Sequence, residues 1–323
     1  MDFFEEQKRN KRATIVLITI FAFIVLCIGY FIDHFYLGFD IKTGPFPFAT
    51  ALAIIIASVW AMVSYYNGDS IVLASVGAIP LDPSTTNEKT KILMDVVQEM
   101  SVASGNPKPF VYIIPSDQPN AFATGRNPEH SSIAVTQGLI DMMDRSELQA
   151  VVAHEMGHIK SHDIQTMTVV AVLLGAIVLM SDWLWRISFY TPRRRGKDLR
   201  GMFIVLLVAI ILSIVAPIIA QIIAMTVSRQ REYAADAASV EFTRNPLALA
   251  NALEKLKAGF VPMKNASRGT AHMFIVDPLE KTMGDKEGFW ADLLATHPPI
   301  EKRIARLRLI AHEIVAQGYG KRD

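Results

Sequence analysis

His154-Glu155-Met156-Gly157-His158 lies in a helix-compatible run that starts near Glu147. On an α-helix, two histidines four apart lie on one face about a turn from each other, so both imidazoles can reach one metal ion. Glu155 lies beside that face, where it can hold and deprotonate a water that the metal acidifies. Zinc brings the pKa of water from 15.7 to roughly 7, which makes a hydroxide nucleophile near neutral pH. The spacing therefore points to hydrolysis of a peptide bond. Upstream, Ser146 is the expected helix cap, and the acidic Asp144 and Glu147 suit a helix N-terminus.

Two histidines leave a tetrahedral zinc in need of a third protein ligand beside its water. A metzincin would place a glycine and a histidine where this chain has Ser161 and Ile164, so that class is excluded. His162 is a local rival, but two helical turns separate it from His154. That is more than about 10 Å, too far to share an ion. A better source is Glu232-Tyr233-Ala234-Ala235-Asp236. Glu232 and Asp236 share a helical face, so one carboxylate can bind zinc while the other accepts the free N–H of a ligand histidine. Ala234, Ala235, Ala237 and Ala238 make this helix slim and suited to close packing.

These residues, together with Asn120-Ala121-Phe122-Ala123-Thr124-Gly125 and His297-Pro298-Pro299, resemble the HtpX membrane metalloproteases, relatives of the CAAX prenyl endopeptidases. The resemblance covers nearly the whole chain. It implies zinc bound by His154, His158 and Glu232, with Glu155 as general base. It further implies supporting roles for Asp236, Arg303 and Asp163, and an oxyanion-stabilising role for His297. Quality control of damaged or misfolded membrane proteins is the activity it implies. Taken without the resemblance, His297-Pro298-Pro299 reads as a rigid helix entry.

The composition fits a membrane enzyme. Hydrophobic residues make up 51% of the 323 residues and are concentrated in long runs. Ala13–Ile32 and Phe48–Tyr66 are each near the roughly 20 residues that span a bilayer. Ile164–Met180 and Met202–Val227 are two further apolar runs, making four expected spans. Lys8, Arg9, Lys11 and Arg12 precede the first, and no small-x-small cleavage site follows it, so it reads as a retained anchor. The positive-inside rule then places the catalytic region on the cytoplasmic side of the cell membrane. The basic loop Arg186–Arg200 runs against that rule if the last two runs form a fully crossing hairpin. The single Cys27 excludes an internal disulfide.

The expected organisation is therefore two transmembrane helices (1–66), a first catalytic half with the metal helix (67–163), a transmembrane hairpin (164–228) and a second catalytic half with the third ligand (229–323). The fold class is mainly α with a zincin-like α+β catalytic domain. Within the first half, Thr86–Ala103 reads as an amphipathic helix, and Phe110–Ile114 and Ser132–Thr136 as strands. Asn120, Ala121 and Phe122 join them and are candidates to bind an extended substrate along an exposed edge. Asn245–Lys257 and the stretch after Pro299 read as helices, and Gly259–Gly288 as a cover over the cleft.

A net charge of +1 gives no case for nucleic-acid binding, and no Gly-rich phosphate loop supports an ATPase motor. Expected partners are protein or peptide substrates and the lipid bilayer. Two rivals remain. One is a CAAX-type prenyl-peptide protease, for which the spans are few. The other is a catalytically silent zinc-stabilised scaffold, which would not need Glu155.

Overall fold

The computed structural model describes residues 3–35, 46–84, 86–190, 229–259, 263, 270–278 and 298–319. Two long helices, α1 (Phe3–Phe35) and α2 (Phe48–Ser75), pack against each other. Among the described residues these are the two helices long and apolar enough to cross a membrane. Asp33 is buried and takes the backbone N–H groups of Ala49 and Thr50 at 2.9 and 2.7 Å, capping α2 from the end of α1. The run from Ile164 lies in α6 (Asp163–Tyr190), whose side chains are described as far as Ala176. The run Met202–Val227 falls outside the described residues, so the structure accounts for two of the four expected spans.

The body that joins helices to a small sheet follows. β1 (Ile79–Pro80) leads to α3 (Glu88–Ser104), which Asn87 caps at its N-terminus and Gly105 closes in the left-handed conformation at φ 73°. The sheet contains β2 (Phe110–Ile114), β3 (Ala121–Asn127) and β4 (His130–Thr136) in the order β1-β2-β4-β3. Its topology departs from the sequence reading. β2 and β4 are parallel, and the stretch read as their connection is itself strand β3, antiparallel to β4. Asn127-Pro128-Glu129 makes the tight turn, so the turn chemistry lies seven residues later than Asn120.

After α4 (Gln137–Met142) comes α5 (Arg145–Lys160), the metal helix. It packs against α7 (Arg229–Thr243), α3 and α8 (Pro246–Ala258), and α9 (Ile300–Tyr319) packs in turn on α8. The apolar core joins α3, the sheet, α5, α8 and α9 through Leu93, Ile133, Val151, Leu253 and Leu307, each at most 1% exposed. The metal helix is thus a central core element, with its site on the side that α7 covers.

Candidate metal centre and active site

Local chemistry fixes where α5 starts. Asp144 is the cap, accepting the Glu147 N–H at 2.9 Å, while the Glu147 side chain accepts the Asp144 N–H in return. Ser146, the expected cap, instead donates to Asp144 Oδ1 at 2.7 Å. This register puts His154, Glu155 and His158 on the buried stretch facing α7. The slim alanine face of α7 serves as expected. A Cβ on Gly157 would meet the Ala238 Cβ at 2.9 Å and the Ala235 Cα at 3.2 Å, so the two helices cross where both are smallest. Ser239 Oγ donates to the Ala150 carbonyl at 2.7 Å and secures that crossing.

Close crossing brings Glu232 to the histidines. His154 Nε2 and His158 Nε2 are 3.3 Å apart. Glu232 Oε2 is 3.6 Å from His154 Nε2, and Oε1 is 3.6 Å from His158 Nε2. Ligands about 2.0–2.1 Å from a tetrahedral zinc stand about 3.3 Å from one another. A His-His-Glu donor set at these separations therefore fits a zinc-sized ion. Among the described residues this is the His/Cys/Asp/Glu group that could hold a metal. His162 is outside it: α5 ends at Lys160, and His162 has a φ of 60° in the turn beyond.

Both ring orientations are held from behind. His154 Nδ1 is 3.1 Å from Asp236 Oδ1. Arg303 grips the same carboxylate through Nε at 2.9 Å and Nη2 at 2.7 Å. Its Nη1 reaches Glu232 Oε2 at 3.1 Å and the Ile275 carbonyl at 3.1 Å. His158 Nδ1 is 3.3 Å from Asp163 Oδ2, which also accepts from Ser161 Oγ at 2.9 Å. Each carboxylate leaves Nε2 facing Glu232, the tautomer that metal binding needs. Sequence reasoning missed two further neighbours of Asp163 Oδ1, namely Asn10 and the buried Arg231, whose Nε is 3.4 Å away.

The electrostatics follow from burial. Glu155 is 1% exposed, and loss of solvent pushes its carboxyl up to about 7, with the nearby Glu232 adding to the rise. Positive charge on His158 and a hydrogen bond from the Ala123 backbone act in the opposite direction. Burial lowers the His154 imidazole despite its bond to Asp236. Burial alone would raise Asp236, but the Arg303 guanidinium holds it below the usual carboxylate range.

Asn120, Ala121 and Phe122 lie at the start of β3, but all three are fully buried. The edge beside them is taken by residues 274–276. Ile275 N–H donates to the Ala121 carbonyl at 3.0 Å, and the Asn120 side-chain amide donates to the Val276 carbonyl at 2.7 Å. Phe274 packs edge-on against Phe122 at 4.9 Å. Further along, Gly125 N–H donates to Thr168 Oγ1 at 3.1 Å. The exposed edge expected here is therefore a covered seam. The Ile275 carbonyl that Arg303 holds joins this seam directly to the metal centre. His297 and most of the expected cover at 259–288 lie outside the described residues.

A family model described as peptidase family M48 matches residues 87–311, a stretch that holds His154, Glu155, His158, Asp163, Glu232, Asp236 and Arg303. The chain belongs to peptidase family M48. A protease HtpX homolog from Caldanaerobacter subterraneus subsp. tengcongensis is 45% identical over 94% of this chain and 97% of its own length. One from Thermoanaerobacter pseudethanolicus is 44% identical with the same coverage. One from Thermococcus sibiricus is 38% identical over 93% of this chain and 95% of its own. The crystal structure of S. mikatae Ste24p covers 90% of this chain and 62% of that chain at a TM-score of 0.49 and 18% identity. The protein is thus a metalloprotease of the HtpX type, and His154, His158 and Glu232 form its possible metal site.

Proposed function

We propose that this protein is an integral-membrane zinc endopeptidase that acts on damaged or misfolded membrane proteins. The observation that carries the chemistry is the convergence of three buried donors at tetrahedral spacing, with Glu155 buried beside them. His154, His158 and Glu232 would hold the zinc. When bound, zinc acidifies water and polarises the scissile carbonyl. Glu155 takes the proton from the attacking water and passes it to the leaving amine. Its raised pKa suits both duties near neutral pH. Asp236 and Arg303 keep His154 in its working tautomer, and Asp163 does the same for His158. His297 is assigned the oxyanion by resemblance alone.

The membrane reading rests on α1 and α2, and the side on contacts at the start of α1. Lys8, Arg9, Lys11 and Arg12 flank Gln7 and Asn10, which bond the C-terminal end of the metal helix and the residues after it. The metal centre and the basic end of the first span therefore share one side of the membrane, cytoplasmic by the positive-inside rule. Residues 120–122 are proposed to border the substrate channel behind the 274–276 seam.

The test uses purified full-length protein in detergent, with metal content and cleavage of an unfolded casein-type substrate as readouts. We expect one zinc per chain, loss of cleavage on chelation and its return with zinc. Glu155→Gln should keep the zinc and lose about 10²–10⁴ in rate, the contribution of a positioned general base. Wild-type cleavage by Glu155→Gln would overturn the mechanism.

A further inference from the structure

We infer that Asn10, at the start of the first long helix, is a positioning residue for the metal centre. It acts through Asp163 on His158. Asn10 is 1% exposed, although it stands between the exposed Lys8, Arg9, Lys11 and Arg12. Its Nδ2 donates to Asp163 Oδ1 at 2.6 Å and to the Ser161 carbonyl at 2.9 Å. Both partners are pure acceptors, which assigns the amide orientation without ambiguity. Among the described residues the Asn10 Oδ1 has no hydrogen-bond partner. A buried carbonyl left in that state is a cost of burial, so the side chain is held in place for its donor.

The neighbouring contacts make the docking specific. Gln7 Nε2 donates to the Lys160 carbonyl at 3.0 Å, one of the last carbonyls of α5. Thr166 Oγ1 donates to the Asn10 carbonyl at 3.1 Å and lies 2.9 Å from Thr14 Oγ1. Gln7, Asn10 and Thr14 thus form one polar stripe at helical spacing, and it grips the α5–α6 junction. Of the three, Asn10 alone touches Asp163. Asp163 needs that grip because one oxygen faces His158 Nδ1 while the other must be fixed from the opposite side. Asn10 and Arg231 provide this. The first helix would then be part of the catalytic apparatus as well as an anchor.

This inference rests on the zinc reading above, and the experiment separates the two. Zinc affinity is measured on full-length protein in detergent by competition with a chromophoric chelator, alongside thermal stability of the metal-free form. Asn10→Ala should weaken zinc binding about 10-fold, the lower end for groups that support a ligand from behind. Asn10→Asp, nearly the same shape but with a carboxylate facing Asp163, should weaken it further. It carries the test if Asn10→Ala does not fold. Leu17→Ala, on a buried apolar position of the same helix, should lower stability and leave zinc affinity unchanged. In an Asp163→Asn background, Asn10→Ala should add little. Wild-type affinity in both Asn10 variants, or full additivity with Asp163→Asn, would overturn the inference. A wild-type protein that binds no zinc would instead overturn the zinc reading.

Discussion

Around the metal centre His154, Glu155, His158, Asp163, Glu232, Asp236 and Arg303 are each at most 5% exposed, whereas Ile15, Phe23, Ile54 and Ile55 on α1 and α2 are 51–65% exposed. Polar groups are inside and apolar groups outside, the reverse of the usual arrangement in water. The two regions tolerate this for different reasons. Inside, every charge meets an opposite charge or a hydrogen-bond partner: Arg303 meets Asp236 and Glu232, and Asp163 meets His158 and Arg231. Burial of such a network is costly unless it is nearly complete, and a metal ion would complete it. Outside, the helices have no protein partner on much of their surface among the described residues, and hydrocarbon is a medium in which such a surface is not penalised. On the proposed function, a polar core suited to a cation and an apolar surface suited to lipid are two halves of one membrane enzyme.

Removal of a ligand should break the polar half most severely. Glu232→Ala leaves two imidazoles and the Arg303 guanidinium without their shared carboxylate. We expect loss of bound zinc and of all measurable cleavage. Elemental analysis of the purified variant checks this. Full zinc occupancy would show that another residue completes the site, and His162→Ala would then be the next measurement.

A smaller effect is expected one layer out. Asp236→Asn keeps the shape but removes the negative charge between His154 and Arg303. Zinc affinity or kcat should fall about 10–100-fold, as for other groups that orient a metal-bound histidine. Chelator competition and steady-state kinetics separate the two. An effect limited to thermal stability would mean that Asp236 serves only to neutralise Arg303.

For the apolar half, Ile54→Lys is the corresponding probe. It places a charge on a helix proposed to face lipid, at a cost of roughly 2.5–3.5 kcal/mol at mid-membrane. Poorer retention in carbonate-washed membranes, with normal zinc content in the fraction that inserts, is the expected outcome. A fully soluble, active variant would show that this surface meets protein or water.

How far each half can be read from the sequence follows from the range of the interactions. His154, His158, Glu232 and Asp236 were legible because metal coordination imposes helical spacings that survive in one dimension. Ala13–Ile32 and Phe48–Tyr66 were legible because bilayer thickness imposes a length. Strand β3 does not stand out in the sequence because Ala121, Ala123 and Gly125 are small and carry little strand signal. Its identity comes from pairing with β4 and from the 274–276 seam. Asn10 left no signal either, since the bond to Asp163 spans 153 residues. The sequence points to Ser146 as the α5 cap, two residues late, because either residue suits a helix N-terminus. Only the reciprocal bond with Glu147 decides for Asp144.

That cap gives the smallest prediction and a reference point outside both halves, since Asp144 is exposed at the start of α5, away from His154 and His158. Asp144→Ala should cost about 1 kcal/mol of stability, the usual value of a helix cap, with zinc content unchanged. The pH dependence has a definite sign. The Glu147 backbone N–H, the Ser146 hydroxyl and, more weakly, Lys255 hold the Asp144 carboxyl below its ordinary value of 3.8. A depressed carboxylate stabilises the fold at pH values above its unfolded pKa, and that contribution is lost as pH falls through the lower folded value. The stability gap between wild type and Asp144→Ala should thus stay constant at neutral and mildly acidic pH and close below about pH 4. Thermal melts of both proteins across that range provide the measurement. A gap that instead closes near pH 7, where Glu155 titrates, would mean that the cap and the active site are coupled along α5, and the cap would lose its standing as an independent reference.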